Sequence, residues 1–320
     1  MGRITANRTG FWRQLGIPRL RHGPWRANRA RGTVLAHPGT TRSNSPECLH
    51  CRSSRADQIR SRWVGDELTL GPMGKPLVAI LSGAGISTDS GIPDFRGPQG
   101  LWTRDPAAER LSTFQTYVAD PAVRRRSWQA RLRHPAWSAL PNVAHAALAR
   151  LGAAVDTWVI TQNIDGLHQR AGTPADRVLE LHGTMYQVVC VSCSTRTEMA
   201  AILERVRAGE EDPPCDRCGG ILKSATVMFG QSLDPSILRR AARAAAGCDL
   251  MLAVGSTLTV EPAASLCAVA TDAGACLVIV NRDPTPYDVL ATEVINDPIG
   301  EAVPRITETL LKSVVGRGQP

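Results

Sequence analysis

Residues 83–97 read Gly83-Ala84-Gly85-Ile86-Ser87-Thr88-Asp89-Ser90-Gly91-Ile92-Pro93-Asp94-Phe95-Arg96-Gly97, and they follow the apolar run Pro76-Leu77-Val78-Ala79-Ile80-Leu81. An unbroken aliphatic run with no polar alternation is the pattern of a strand buried on both faces of a parallel sheet. A strand that runs into closely spaced glycines is how α/β proteins bring backbone N–H groups up to a pyrophosphate. The third glycine of the common dinucleotide fingerprint is missing. By spacing alone the turn therefore fits an ordinary strand-to-helix connection equally well. Beyond it, Ser90 to Gly97 place an acid, an aromatic ring and a guanidinium in a loop bounded by glycines and stiffened by Pro93. That is the composition of a segment able to fold over a ligand.

Further along, the same arrangement recurs. A strand over 155–161 ends in Thr161-Gln162-Asn163-Ile164-Asp165-Gly166-Leu167-His168, and one over 177–181 leads into Glu180-Leu181-His182-Gly183. Buried strands over 249–254 and 275–280 end in Gly255-Ser256-Thr257 and Asn281-Arg282-Asp283, and a short strand over 293–295 precedes a closing helix from Ile299. Helical segments fall between them, one opened by Asn142 as an N-cap and another over 235–247. Alternating strands and helices predict an α/β fold with a doubly wound, Rossmann-like parallel sheet, whose ligands sit beyond the carboxyl ends of the strands. All the polar clusters just quoted fall at such ends.

Four cysteines interrupt this alternation as Cys190-x-x-Cys193 and Cys215-x-x-Cys218, with 21 residues between the pairs. Each pair is a thiolate knuckle, and four thiolates satisfy tetrahedral zinc with no open position, so one structural zinc ion in a small inserted domain is expected. Cys248, Cys267 and Cys276 lie among apolar residues and read as core packing.

In order, these stretches resemble the signatures of the sirtuins, NAD-dependent protein deacylases, and the resemblance runs from about Lys75 to Leu311. It implies transfer of an acyl group from a lysine side chain to ADP-ribose, yielding nicotinamide, deacylated lysine and O-acyl-ADP-ribose. It carries the general base to His182, with Asn163 and Asp165 as the other catalytic residues. The cofactor NAD falls to Gly83, Ala84, Gly85, Ile92, Asp94, Phe95, Arg96, Gln162, Asn163, Ile164, Asp165, His182, Gly255, Ser256, Thr257, Asn281, Arg282 and Ile299. The acyl-lysine peptide falls to Val227, Phe229, Gly230 and Val260, pairing as an added strand. His145 and His168 read as structural. Ser224 and Gln231 depart from the residues common in the family. Desuccinylating sirtuins carry Tyr-x-x-Arg where this chain has Trp128-Gln129-Ala130-Arg131, so acetyl is the expected acyl group and an acidic one the alternative. Two other readings stay open, a protein mono-ADP-ribosyltransferase on the same NAD site and a non-catalytic NAD-binding scaffold.

The formal charge of +8 comes from one end of the chain. Residues 1–72 hold 13 Arg, no Lys and 4 acidic residues, whereas residues 73–320 are near neutral, with 24 basic and 25 acidic residues. We read 1–72 as a disordered extension and 73–320 as the catalytic domain, with a zinc module at about 184–223 and a helical cofactor-loop segment at about 98–140. The extension has three readings: residues ahead of a true start at Met73, an Arg-rich targeting segment, or a nucleic-acid-binding arm. Cys48 and Cys51 within it have metal-like spacing without a second pair nearby. The run Arg124-Arg125-Arg126 reads as a solvated helix face. No apolar run approaches the ~20 residues that cross a bilayer, and no secretory leader is evident. A cytoplasmic monomer is expected.

Overall fold

The computed structural model describes residues 63–64, 67–68, 77–95, 97, 100–104 and 112–315. Arg96, Met73, Cys48 and Cys51 lie outside the described residues, as does nearly all of the extension. The first elements are a two-residue antiparallel ribbon, β1 (Trp63–Val64) and β2 (Glu67–Leu68).

The apolar run becomes β3 (Leu77–Ser82), in which Val78, Ala79, Ile80 and Leu81 are all fully buried. Full burial of each Val, Ile or Leu side chain among them stabilises the fold by about 1.5–3 kcal/mol. After it comes a 3₁₀ helix, Ala84–Ser90. The chain then forms α1 (Leu101–Arg104), α2 (Phe114–Ala119) and α3 (Pro121–Leu132). Helix α4 (Val143–Ala154) begins as the sequence predicts, with Asn142 Oδ1 accepting from the N–H groups of Ala144 and His145. Then follow β4 (Asp156–Thr161), α5 (Leu167–Arg170) and β5 (Val178–Glu180).

The chain leaves the sheet as β6 (Gly183–Cys190), β7 (Arg196–Glu198), α6 (Met199–Arg207) and β8 (Leu222–Thr226). It returns through α7 (Pro235–Gly247), β9 (Leu250–Val254), α8 (Ser265–Asp272), β10 (Cys276–Val280), β11 (Glu293–Ile295) and α9 (Ile299–Val315). The main sheet has the order β5-β4-β3-β9-β10-β11, and every pairing in it is parallel. The chain builds outward from β3 to β5, then crosses back to β9 and builds the other way. The reversal falls between β3 and β9, and the crevice of a doubly wound sheet opens there. One core joins Val78, Ile80, Val159, Leu252 and Val278 of the sheet to Leu148 and Leu151 of α4 and Val303 and Leu310 of α9.

Strands β6, β7 and β8 form a separate antiparallel sheet. Its core of Val188, Met199, Ile202, Leu203, Val206 and Leu222 includes fully buried Trp128, contributed by α3. The arginine run on α3 corrects the sequence reading. Arg124 is buried, its guanidinium donating to Asp212 at 2.8 Å and to the carbonyls of Tyr117 and Val118, so it ties α3 to the small module. A run of three arginines cannot face one way on a helix, because successive residues turn by about 100°. Cys248, Cys267 and Cys276 are buried, and burial pushes the Cys248 and Cys267 thiols up to about 12.

Candidate active site

The missing third glycine of the fingerprint has a counterpart outside the stretch. The N–H of Gly83 donates to Val254 O and that of Gly85 to Gly255 O, so the turn after β3 lies directly on the turn after β9. A Cβ on Gly83 would come within 2.7 Å of Gly255 O and one on Gly85 within 2.8 Å of Gly255 Cα. Gly255 itself holds φ +62°, and a Cβ there would meet Ile86 N at 2.4 Å. Three glycines from two turns thus let the backbones touch at the switch point.

Polar side chains from three strand ends meet around this contact. Ser87 Oγ donates to Asp165 Oδ2 at 2.8 Å, and Asn163 Nδ2 donates to Gly83 O and Ser87 Oγ at 3.0 and 3.1 Å. Gln162 Nε2 reaches Ser256 Oγ at 2.9 Å, which joins β4 to β9 across the crevice. Behind them, Ser82 Oγ donates to Thr161 Oγ1, which also accepts from the Asn163 N–H, and His168 Nε2 lies 2.8 Å from Ser82 Oγ. His168 and His145 are buried with their rings 5.0 Å apart, and burial lowers their pKa values to about 3 and about 4, so both are neutral. Asn142 closes the far side, donating to Ile86 O and Ser90 Oγ.

His182 sits half-buried beside this network, between β5 and β6. Its Nδ1 lies 2.9 Å from Gln162 O. A carbonyl only accepts, so the ring must donate from Nδ1, and Nε2 is left with its lone pair. Burial pulls the His182 pKa below the usual imidazole value, with the Gln162 hydrogen bond opposing it. The ring is thereby held as a neutral base.

Of the substrate residues named from the sequence, Val227 is bonded directly to His182. The Val227 N–H donates to His182 O, and Val227 and Val260 are half-buried. Phe229 is 39 % exposed and is bridged through its backbone to Ser112 and Phe114 at the start of α2. Gly230 holds φ +88°, and a Cβ there would strike the Gln115 amide. Gln231 accepts from Met228 N through Oε1, a task an amide oxygen performs as well as a carboxylate.

Other residues fall further out. Ala84, Ile92 and Ile164 are half-buried. Asp94 spends its carboxylate on the N–H of Gly97 inside its own loop, and Phe95 is 42 % exposed. Thr257 Oγ1 pairs with Thr259, Asn281 Nδ2 with Asp283 O, and exposed Arg282 with Asp283. Ile299, the first residue of α9, is partly buried against the main core. The sequence reading named neither Ser87 nor Tyr186, whose hydroxyl donates to Asp165 O. Ser87 lies within the quoted stretch, but nothing in its spacing separates it from Thr88 or Ser90.

In the small module the sulfurs of Cys190, Cys193, Cys215 and Cys218 all lie within 4.8 Å of one another, with Cys190–Cys218 at 3.6 Å and Cys193–Cys215 at 3.7 Å. Zinc–sulfur bonds of about 2.3 Å in a tetrahedron place sulfurs about 3.8 Å apart, so four thiolates here fit one zinc ion closed to further ligands.

The model of the Sir2 family matches residues 83–262, more than half of the chain. The chain is 58 % identical over 238 residues to NAD-dependent protein deacetylase 2 of Streptomyces coelicolor, covering 74 % of this chain and 99 % of that protein. It is 39 % identical to NAD-dependent protein deacetylase of Thermodesulfovibrio yellowstonii, over 72 % of this chain and 88 % of that one. Among solved structures, a Sir2 with a p53 peptide and NAD+ superposes with a TM-score of 0.65 at 36 % identity, covering 73 % of this chain and 93 % of that one. The family match takes in the glycine turn, residues 162–165, His182, Ser256 and all four clustered cysteines, and the chain belongs to the Sir2 family.

Proposed function

We propose that this crevice removes acetyl groups from protein lysine side chains at the expense of NAD. The observation that carries the reading is His182, a neutral histidine with its Nε2 lone pair unspent, placed between the cofactor crevice and the β8 segment proposed to hold the peptide. NAD, when bound, supplies the ADP-ribose that accepts the acyl group and releases nicotinamide.

The residues divide the work. Asn163 and Asp165, locked to each other through Ser87, receive the nicotinamide end and hold its carboxamide by hydrogen bonds. Gln162, Ser256, Thr257, Asn281 and Arg282 offer hydroxyl, amide and guanidinium groups to the ribose and adenosine end. His182 takes the proton from a ribose hydroxyl, the work suited to an imidazole kept neutral. Val227, Phe229 and Val260 wall the acyl-lysine, and the peptide lies along residues 227–230. We assign residues 73–320 as the catalytic domain, with the zinc module at about 184–223 and the cofactor-loop segment at about 98–140. We further place the protein in the cytoplasm as a monomer, with nucleic-acid contact confined to residues 1–72. No helix among the described residues is long and apolar enough to cross a membrane.

One observation favours a second reading, removal of an acidic acyl group. Arg131 and Lys223 have no carboxylate in ion-pair contact among the described residues, and the buried Arg131 Nε and Trp128 Nε1 have no hydrogen-bond partner. Lys223 is buried with carbonyl partners only, and burial lowers its pKa to about 8. Mass spectrometry of acetyl- and succinyl-lysine peptides, with and without NAD, tests both readings. Loss of acetyl only with NAD, with an acetyl-ADP-ribose product, is the expected result. Faster loss of succinyl selects the second reading. ADP-ribose added to protein with neither peptide changed overturns both.

A further inference from the structure

We propose that Tyr186 is a positioning residue for Asp165, and that through it the zinc module grips the nicotinamide end of the crevice. The proposal rests on the reading of Asp165 given above. Three groups fix this aspartate in place. Its Oδ2 accepts from Ser87 Oγ at 2.8 Å, its Oδ1 from Leu167 N at 3.0 Å, and its backbone carbonyl from Tyr186 Oη at 2.9 Å. The first two contacts come from within the NAD-binding layer. The third comes from β6, a strand of the other sheet.

The grip extends beyond one hydrogen bond. The N–H of Met185 donates to Ile164 O, so two successive residues of β6 hold the turn that presents Asp165. The next residue in that turn, Gly166, is left-handed at φ +65°, and a Cβ on it would lie 2.8 Å from Cε2 of the Tyr186 ring. The tyrosine ring therefore occupies the space a side chain at 166 would need. Its far side meets Trp137 edge-to-face at a centroid distance of 5.6 Å, and Trp137 Nε1 donates to Arg131 O at the end of α3. Four residues after Tyr186, the same strand delivers Cys190 to the thiolate cluster. One strand thus has the nicotinamide pocket at one end and the zinc site at the other.

The test is a double-mutant cycle of Tyr186→Phe and Asp165→Asn, read as KM for NAD, the nicotinamide inhibition constant and KM for acetyl peptide. Phenylalanine keeps the ring against Gly166 and Trp137 and removes only the hydroxyl. We expect Tyr186→Phe to raise KM for NAD and the nicotinamide inhibition constant together by about five-fold, the factor one hydrogen bond commonly carries. KM for acetyl peptide and zinc content should be unchanged. In the Asp165→Asn background the same change should add less than about two-fold, because groups acting through one another are not additive. A silent Tyr186→Phe beside a defective Asp165→Asn overturns the proposal and leaves the Asp165 reading standing. Equal rises in both substrates' KM values, or full additivity, also overturn it, since they mark general loosening. An unaffected Asp165→Asn overturns both.

Discussion

The two ends of the crevice are built differently. At the ends of β3 and β4 the polar groups are buried and bonded to one another over long stretches of chain: Ser87 to Asp165, Asn163 to Gly83, Ser82 to Thr161 and His168. At the ends of β9 and β10, apart from Ser256, which accepts from Gln162, they are exposed or half-exposed and satisfied locally, Thr257 by Thr259 and Arg282 by Asp283. Buried networks fix geometry because an unmet group in low dielectric is costly. Exposed groups rearrange at little cost. On the function proposed above, the difference would set the nicotinamide end for chemistry and the adenosine end for adhesion.

The largest effect expected comes from zinc removal, which should reach the two ends unequally. A chelator should unfold the module, since structural zinc supplies folding free energy directly. Turnover should be abolished and the fluorescence of buried Trp128 should change with it. Affinity for ADP-ribose, measured by calorimetry on the same sample, should change less than about three-fold if the adenosine end stands on the main sheet alone. Equal loss at both ends would erase the distinction.

His182→Ala comes next. Loss of a positioned general base costs about 10²–10⁴ in rate, so kcat should fall by that factor while KM for NAD stays within a few-fold. Acetyl-ADP-ribose formed at the normal rate would remove His182 from its role.

Acid sensitivity should follow from the buried histidines behind Asn163. Burial holds His145 at about 4 and His168 at about 3, against 6.5 unfolded, with Asp165 opposing the shift of His145 and His145 adding to that of His168. Between these values the unfolded chain binds protons that the folded one does not, so stability falls as pH drops below 6.5. Each histidine should cost about 2 kcal/mol by pH 5, at 1.36 kcal/mol per pKa unit. Urea midpoints at pH 7.5 and pH 5.5 measure the loss, and His168→Gln, which can still donate to Ser82, should shrink it. An unchanged pH dependence in that variant would place the sensitivity elsewhere.

Much of this was legible in the chain. Aliphatic runs gave the strands, the polar residues after them gave the crevice, and cysteine spacing gave the thiolate cluster. Reading failed where a residue's role depends on a distant partner. Gly255 completes the glycine contact from 170 residues beyond Gly85, and a local fingerprint cannot register that. Arg124 looked like solvated charge because its partner, Asp212, is 88 residues away. Tyr186 carried no signal, since one aromatic in a strand is commonplace until its hydroxyl is seen on Asp165.

The smallest effect should belong to Arg282. Its side chain is 59 % exposed and its pairing with Asp283, at 2.8 Å, is with its own neighbour. Exposed pairs of this kind contribute little and are screened by salt. Arg282→Ala should therefore raise KM for NAD by no more than about five-fold and leave kcat unchanged. The wild-type advantage should fade as ionic strength approaches 1 M, where screening acts within about 3 Å. A ten-fold or greater fall in kcat would mean that the adenosine end takes part in the chemistry, and the contrast between the two ends would have to be withdrawn. A KM effect that ignored salt would instead show Arg282 held in a fixed, water-excluded contact once NAD is bound, so that only the exposed half of the contrast would need revision.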